Sequence, residues 1–241
     1  MILAILQARM SSTRLPGKVL KSLAGAPMIW RQIERVSGAR RVDYLVVATS
    51  TDPSDDILAE TLEPMGLEVV RGPLDDVLAR FVQVLDGFPQ AEQVVRLTAD
   101  CPLADPTVID GVIDGHMEMG ADYSSNAPQS RRTFPKGLDV EVMRPWVLRR
   151  AGVEATDSYE REHVTPFVYR QPGEFHLCWH HQEAEEGEVR WTVDRPDDYA
   201  FVGEIYDALH TDGDRLFTSD EVRAFVRGRL DLHNFGGDRR V

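Results

Sequence analysis

The stretch QARMSSTRLPGK, residues 7–18, sets Arg9, Arg14 and Lys18 among small and hydroxylated residues and contains no carboxylate. Arg9 and Arg14 supply planar forks matched to phosphate oxygens, and Lys18 supplies a compact point charge. Ser11, Ser12 and Thr13 add short hydroxyl donors. A loop of small residues can also bring backbone N–H groups against an anion. The chemistry these types share is phosphate binding. A solvated basic loop is the plainer alternative, and crowding of cations without a relieving acid weighs against it. The Walker pattern GxxxxGK[ST] is absent, so this is a different phosphate loop. Two aspartates stand at comparable places further on: Asp100 in LTADCPL and Asp194 in RWTVDRPDDY. On its own each reads as a turn or cap residue, and Asp197 or Asp198 reads as a helix N-cap.

The elements around these residues follow from hydrophobic spacing. Residues 2–6 (ILAIL), 44–49 (YLVVAT), 67–70 (LEVV) and 92–97 (EQVVRL) are short apolar runs of the kind buried on both faces of a sheet. Between them, 27–37, the stretch after STDPSDD, 74–86 and 105–120 carry helical spacing, the last with Pro106 near its start and Gly120 at its end. Strand–helix alternation through residue 120 predicts an α/β fold, a parallel sheet covered by helices on both faces. In such sheets ligands lie outside the carboxyl ends of the strands, where residues 7–18 and Asp100 fall. After residue 120 the rhythm changes. ADYSSN and 137–143 read as strands, with WVLRRA and 158–170 as helices. Residues 175–182 and 188–193 read as an antiparallel hairpin or arm, 196–209 and 218–230 as closing helices, and the tail NFGGDRRV as frayed. The chain reads as one domain over 1–241, with about 128–182 as a possible projecting subdomain.

At 241 residues, with 42% hydrophobic and 28% charged residues, the chain has the composition of a globular protein with a sizeable core. The formal charge is −13, yet the first thirty-three residues carry five cations and no acid, leaving −18 for residues 34–241. A surface that acidic argues against nucleic acid or an anionic membrane as a partner and leaves room for a small anion at the basic patch. MILAIL is short for a signal-peptide core, and no apolar run reaches the length of a membrane span. Cys101 and Cys178 lack any pairing pattern, so the expected setting is a reducing cytoplasm.

QARMSSTRLPGKVLKSLAGAPMIWRQIERV resembles the N-terminal signature of the nucleotide-sugar cytidylyltransferases, the group of acylneuraminate and deoxy-manno-octulosonate cytidylyltransferases, and within it the spore-coat polysaccharide branch. VVATSTDPSDD, VVRGPLDDVLARF, VVRLTADCPLADP, FPKGLDVEVM, EREHVTPFVY and VRWTVDRPDDY follow in the family's order, so the resemblance runs from residue 1 to about 206. It implies a Rossmann-like, three-layer nucleotidyltransferase fold of the glycosyltransferase-A type, with CTP at the carboxyl edge of a mainly parallel sheet and an arm used in homodimerisation. It also implies CMP transfer from CTP to a small acidic, nonulosonate-like sugar, with Mg2+ or Mn2+.

Residue by residue, the resemblance places Gln7, Ala8, Arg9, Ser11, Ser12, Arg14, Lys18, Arg71 and Thr98 around the nucleotide. Lys18 and Arg14 would hold the β- and γ-phosphates, and Arg71 would read the base. Arg9, Arg14, Lys18 and Asp100 form the implied catalytic set, and Asp100 with Asp194 the metal pair. Asp139, Glu141, His163 and Lys136 are the acceptor candidates. A solvated strand face suits the two acids equally well, Lys136 with Arg132 could bind an acceptor carboxylate, and His163 also reads as a capping or core histidine. Asp75, Asp76 and Arg80 could bind substrate, or the acids could cap a helix with Arg80 as an i+4 partner. Other acceptors and other nucleotides fit the same residues. A glycosyltransferase is disfavoured by the missing Asp-x-Asp. A non-catalytic nucleotide sensor would have little use for all five charged site residues.

Overall fold

Residues Ile2–Gln7 form the first strand, β1, whose Leu3, Ala4, Ile5 and Leu6 have no solvent exposure. Leu3 and Ile5 point into one apolar core and Ala4 and Leu6 into another, so the unbroken run is explained by burial on two faces. The computed structural model describes residues 1–211, 213 and 215–241. In chain order the remaining elements are β2 (Ser22–Leu23), β3 (Ala26–Pro27), α1 (Met28–Ser37), β4 (Tyr44–Ser50), α2 (Asp56–Leu62), β5 (Glu68–Gly72), α3 (Val77–Gly87) and β6 (Gln93–Thr98). They continue as α4 (Pro106–Met119), β7 (Tyr123–Ser125), β8 (Glu141–Met143), α5 (Pro145–Glu154), α6 (Ser158–His163), α7 (Pro166–Tyr169), β9 (Leu177–Trp179), α8 (Pro196–Leu209) and α9 (Ser219–Arg227).

Seven strands form one sheet in the order β5-β4-β1-β6-β8-β7-β9, and β2 and β3 make a separate small hairpin. The pairs β5/β4, β4/β1 and β1/β6 are parallel, β6/β8 and β8/β7 are antiparallel, and β7/β9 is parallel. From β1 the chain moves outward to β4 and β5, then returns to the other side of β1 as β6. Beyond the carboxyl ends of β1 and β6 lies the crevice that this reversal opens.

Later elements depart from the sequence expectations. The strand expected over 137–143 shortens to 141–143, although Leu138 and Val140 are buried. The arm expected from 175–182 and 188–193 is not formed among the described residues. Leu177–Trp179 pairs instead, in parallel, with β7. In 188–193 the alternating Val189, Trp191 and Val193 enter a third core beneath α8 and α9. The segment's backbone bonds go to Lys136, Asp100 and Arg239. Its alternation reflects burial against helices. The tail is not frayed: Arg240 is fully buried, and its carbonyl accepts the indole N–H of Trp191 at 2.8 Å. Cys101 and Cys178 are both free thiols.

His116 of α4 fastens this helix to the sheet, with Nδ1 2.8 Å from Ser124 Oγ and Nε2 2.9 Å from Gln93 Oε1. Burial, aided by Arg144, pushes its pKa down to about 4. The unfolded chain therefore takes up a proton in the window from about 6.5 to about 4 that the folded protein refuses. Stability is expected to be full above that window and to fall on acidification through it, by on the order of 3 kcal/mol. Urea midpoints between pH 7.5 and 4.5 measure this. His116→Gln should flatten the slope, and equal slopes in both proteins would refute the assignment.

Candidate active site

The loop after β1 is tied down by its own backbone and by one buried acid. Gly17 N–H and Ser12 N–H both donate to Met10 O, and Met10 N–H donates to Asp55 Oδ1 at 2.6 Å. Gly17 has φ of 66°, a left-handed conformation that glycine adopts without strain, and it turns the chain into the 3-10 turn at Lys18–Leu20. The loop thereby forms the floor of a cavity of about 390 Å³. Gln7, Ala8, Arg9, Ser11, Ser12, Thr13 and Arg14 line one side, and Thr98, Asp100 and Asp194 the other. The structure brings together the loop, Thr98 and both aspartates, as expected.

Lys18 is turned inward. Its Nζ donates to Val193 O at 2.6 Å and lies 3.0 Å from Asp194 Oδ1 and 3.5 Å from Asp100 Oδ2. It bridges the two carboxylates, where the sequence suggested a reach toward β- and γ-phosphates. The outward-facing cations are Arg14, 3.2 Å from Asp194, and Arg9, 3.9 Å from Glu162. Asp100 Oδ1 accepts from the Thr98 hydroxyl at 2.6 Å. Asp194 Oδ2 accepts from Arg190 at 2.7 Å. Burial opposes ionisation of Asp194, but Lys18, Arg190 and Arg14 together outweigh it and hold its pKa below the usual carboxylate value. Burial pushes the neighbouring Cys101 thiol well up, so it stays protonated. Asp198 is no N-cap: as the third residue of α8 it accepts the N–H groups of Asp194 and Arg195, both at 3.0 Å.

Arg71 does not reach this cavity. Its guanidinium is taken up by Ser50 O at 2.8 Å and by Asp56 at the sheet edge. Arg80 of α3 lines the cavity instead, fully buried, with Nη1 3.4 Å from Ala48 O and Nε without a partner among the described residues. It is not the side-chain i+4 partner of Asp76, which caps α3 through Ala79 N and pairs with Arg161 at 2.7 Å. The placement of Arg80 was legible in principle as an arginine on the apolar face of the LDDVLARF helix. Asp75 is exposed.

A second cavity, of about 530 Å³, shares Arg96, Thr98 and His163 with the first. Tyr123, Tyr169 and Trp179 give it an aromatic wall, and Arg132 and Arg170 add cations. Asp139 and Glu141 both line it, though not as neighbours on one strand face, since Asp139 precedes β8. Asp139 is held by both Nη atoms of Arg132. Glu141 pairs with Arg96 and accepts from the hydroxyls of Tyr123 and Thr165. Lys136 lies outside both cavities, 3.5 Å from Glu188. His163 is exposed, neither core nor cap, with its ring centroid 4.2 Å from that of Tyr159. It is followed by Val164 at φ 72°, ψ −55°, where Thr165 N–H donates to His163 O at 2.9 Å. This is a positive-φ γ-turn, a strained conformation for a β-branched residue. Arg96, which links Gln7 to Glu141 across the two cavities, was not singled out by sequence; a lone charge inside the apolar run VVRLT was the available signal.

A basic loop at the crevice of a mainly parallel three-layer sheet, facing a pair of aspartates, defines a nucleotidyltransferase. The chain belongs to the cytidylyltransferase family: residues 3–218 match its sequence model, described as "Cytidylyltransferase". It is 34% identical over 216 residues to the spore coat polysaccharide biosynthesis protein SpsF of Bacillus subtilis (strain 168), covering 85% of this chain and 86% of that one. To 3-deoxy-manno-octulosonate cytidylyltransferase 2 of Hydrogenovibrio crunogenus it is 34% identical over 143 residues, 57% of this chain and 55% of the relative. Among solved structures, a cytidylyltransferase from Leptospira borgpetersenii superposes with a TM-score of 0.88 at 26% identity, covering 96% of this chain and 95% of that one.

Proposed function

We propose that this enzyme transfers CMP from CTP to a hydroxyl of an acidic, nonulosonate-like sugar and releases pyrophosphate, in the service of polysaccharide assembly. The observation that supports the reading is the pair of cavities with a common wall: one basic and roomy enough for a nucleotide, the other aromatic and cationic. The acceptor oxygen attacks the α-phosphorus as the bond to the bridging oxygen breaks, and pyrophosphate departs with that electron pair. Arg9 and Arg14, outward-facing on the loop, take the charge of the triphosphate and leaving group. His163, which lines both cavities, would receive the hydroxyl proton. Arg80 and the backbone of Ala8 border the end of the cavity that the base would occupy.

The residues fit a divalent cation of the magnesium type. Asp100 and Asp194 already converge on one ammonium, which marks the point between them as a cation position. Two carboxylates completed by phosphate oxygens and water suit magnesium or manganese. Among the described residues no group of three or more His, Cys, Asp or Glu side chains forms a fuller cage. When bound, such an ion would neutralise the triphosphate and the departing pyrophosphate.

In the acceptor cavity, the half-buried Trp179, backed edge-on by the buried Tyr123, would meet a sugar ring, and Arg132 and Arg170 would offer charge to its carboxylate. Trp179→Ala is expected to raise KM for the acceptor about tenfold. KM for CTP should be unchanged, and equal rises in both would remove Trp179 from the acceptor site. The reading as a whole is tested by pyrophosphate release with Mg2+, each of the four NTPs and a panel of acidic, neutral and phosphorylated sugars. CTP with acidic sugars should give the signal. Activity confined to neutral or phosphorylated sugars overturns the acceptor, and preference for another NTP overturns the nucleotide.

A further inference from the structure

Residues 219–241 lie beyond the part of the chain that matches the family, yet the last of them reach the site from below. Arg240, with no exposed surface, donates from Nη2 to Asp198 Oδ1 at 2.9 Å, from Nη1 to Arg190 O at 2.7 Å and from Nε to Phe235 O at 3.1 Å. Its guanidinium lies over the Phe201 ring at 4.6 Å. Arg190 N–H donates to Arg239 O at 2.9 Å, so main chain as well as side chain joins tail to site. Asp198, also fully buried, grips Arg190 through Nε at 3.1 Å and Nη2 at 3.0 Å. It also fixes the backbone of Asp194 and Arg195. Arg190 then holds Asp194 Oδ2, leaving Oδ1 toward Lys18 and Asp100.

We infer that the C-terminal tail is a working part of the catalytic centre, with Arg240 a positioning residue that sets the Asp194 carboxylate through Asp198 and Arg190. The inference rests on the reading of Asp100 and Asp194 as a divalent-cation pair. Without Arg240, Asp198 is a buried carboxylate short of one cation. It then competes differently for Arg190, and Asp194 loses its fixed orientation. Partners bonded directly to a ligand, as Arg190 is to Asp194, alter metal affinity by roughly 10- to 100-fold when removed, and Arg240 acts through that partner.

The test is Mn2+ binding by the full-length protein with CTP present, followed by electron paramagnetic resonance and not by turnover. Circular dichroism confirms that each variant is folded at the working temperature. Arg240→Ala is expected to weaken Mn2+ binding about tenfold or more, and Arg240→Lys, which keeps the charge and loses the fork, by an intermediate factor. The Mg2+ concentration for half-maximal rate should rise in parallel, with a smaller fall in kcat at saturating Mg2+. A folded Arg240→Ala with wild-type Mn2+ affinity overturns the inference. If that variant does not fold, a folded Arg240→Lys with wild-type affinity overturns it equally. A wild-type protein that binds no Mn2+ overturns the metal pair together with the inference, and so separates that failure from failure of the tail's role alone.

Discussion

Asp194→Asn and Asp100→Asn are each expected to lower kcat by roughly 10²- to 10³-fold while leaving the fold in place. The amide keeps the shape of the carboxylate, so β6 and the start of α8 keep their packing; what disappears is one negative charge facing the phosphate loop. In Asp194→Asn the side chain meets Lys18 at Nζ, Arg190 and Arg14, three cations that each lose one carboxylate, with Asp100 left to Lys18 and Asp198 to Arg190. A divalent cation would enter that field poorly, and the triphosphate would be drawn to misplaced arginines. Asp100→Asn has milder surroundings, because Thr98 and Lys18 are its charged or hydroxylic partners. Its effect comes through loss of the second carboxylate of the pair. Because cations hold the Asp194 pKa low, its ionised form persists down through the usual carboxylate range and is lost only as pH falls through the depressed value. The acid limb of the rate profile should therefore not report Asp194. Steady-state pyrophosphate release with matched circular dichroism spectra decides the matter, and near-normal turnover in both variants would remove the pair from the mechanism.

Lys18→Met carries the second large effect, on stability and rate together. The ammonium is bound by three oxygens: the Val193 carbonyl and the two aspartates. Removing it leaves a carbonyl and two like charges facing one another across a mostly buried gap. Breaking a buried ion pair costs roughly 3–5 kcal/mol, and the partial exposure of the aspartates reduces that to about 2–3 kcal/mol here. Turnover should fall at least about a hundredfold, since the carboxylates no longer share a fixed position. Lys18→Arg should not rescue, because three oxygens converging on one point suit an ammonium and not a planar fork. Saturating Mg2+ is expected to raise the urea midpoint of Lys18→Met more than that of the wild type, the divalent ion taking the place of the missing charge. An equal increase in both would mean that Lys18 and the ion do not share a position.

Which parts of this were readable in the sequence follows from the range of the forces involved. β1, β4, β5 and β6 and the helices between them are declared by local periodicity, because strands buried on both faces and amphipathic helices leave that mark on nearest neighbours. The basic loop after β1 is declared by composition. Asp100 and Asp194 needed the resemblance to a family, since an aspartate at a strand end has many commoner duties. The arm did not form because the alternation of Val189, Trp191 and Val193 is ambiguous: a strand in a sheet and an extended segment under helices bury every second residue alike. Arg71 and Arg80 show the same limit. Nine residues apart and both beside apolar runs, they fall on different elements, the edge strand β5 turning Arg71 to Ser50 and Asp56 and the inner face of α3 turning Arg80 into the crevice. The docked tail was least legible. Its polar, glycine-containing sequence lacks any apolar stripe, and its attachment depends on Asp198 and Arg190, whose positions are set by the rest of the fold.

The γ-turn at Val164 shows where durability and readiness oppose each other in this enzyme. A β-branched residue in that conformation surrenders roughly 1–3 kcal/mol of fold stability. In return, His163 on the shared wall and Thr165 in the second cavity hold their places before any ligand arrives, so a substrate need not impose order there. A glycine at this position would relieve the backbone strain, but it would also empty a fully buried place in the core and slacken the wall. Valine at 164 thus gives to the core what it takes from the backbone, and the stiffness of the wall is what remains.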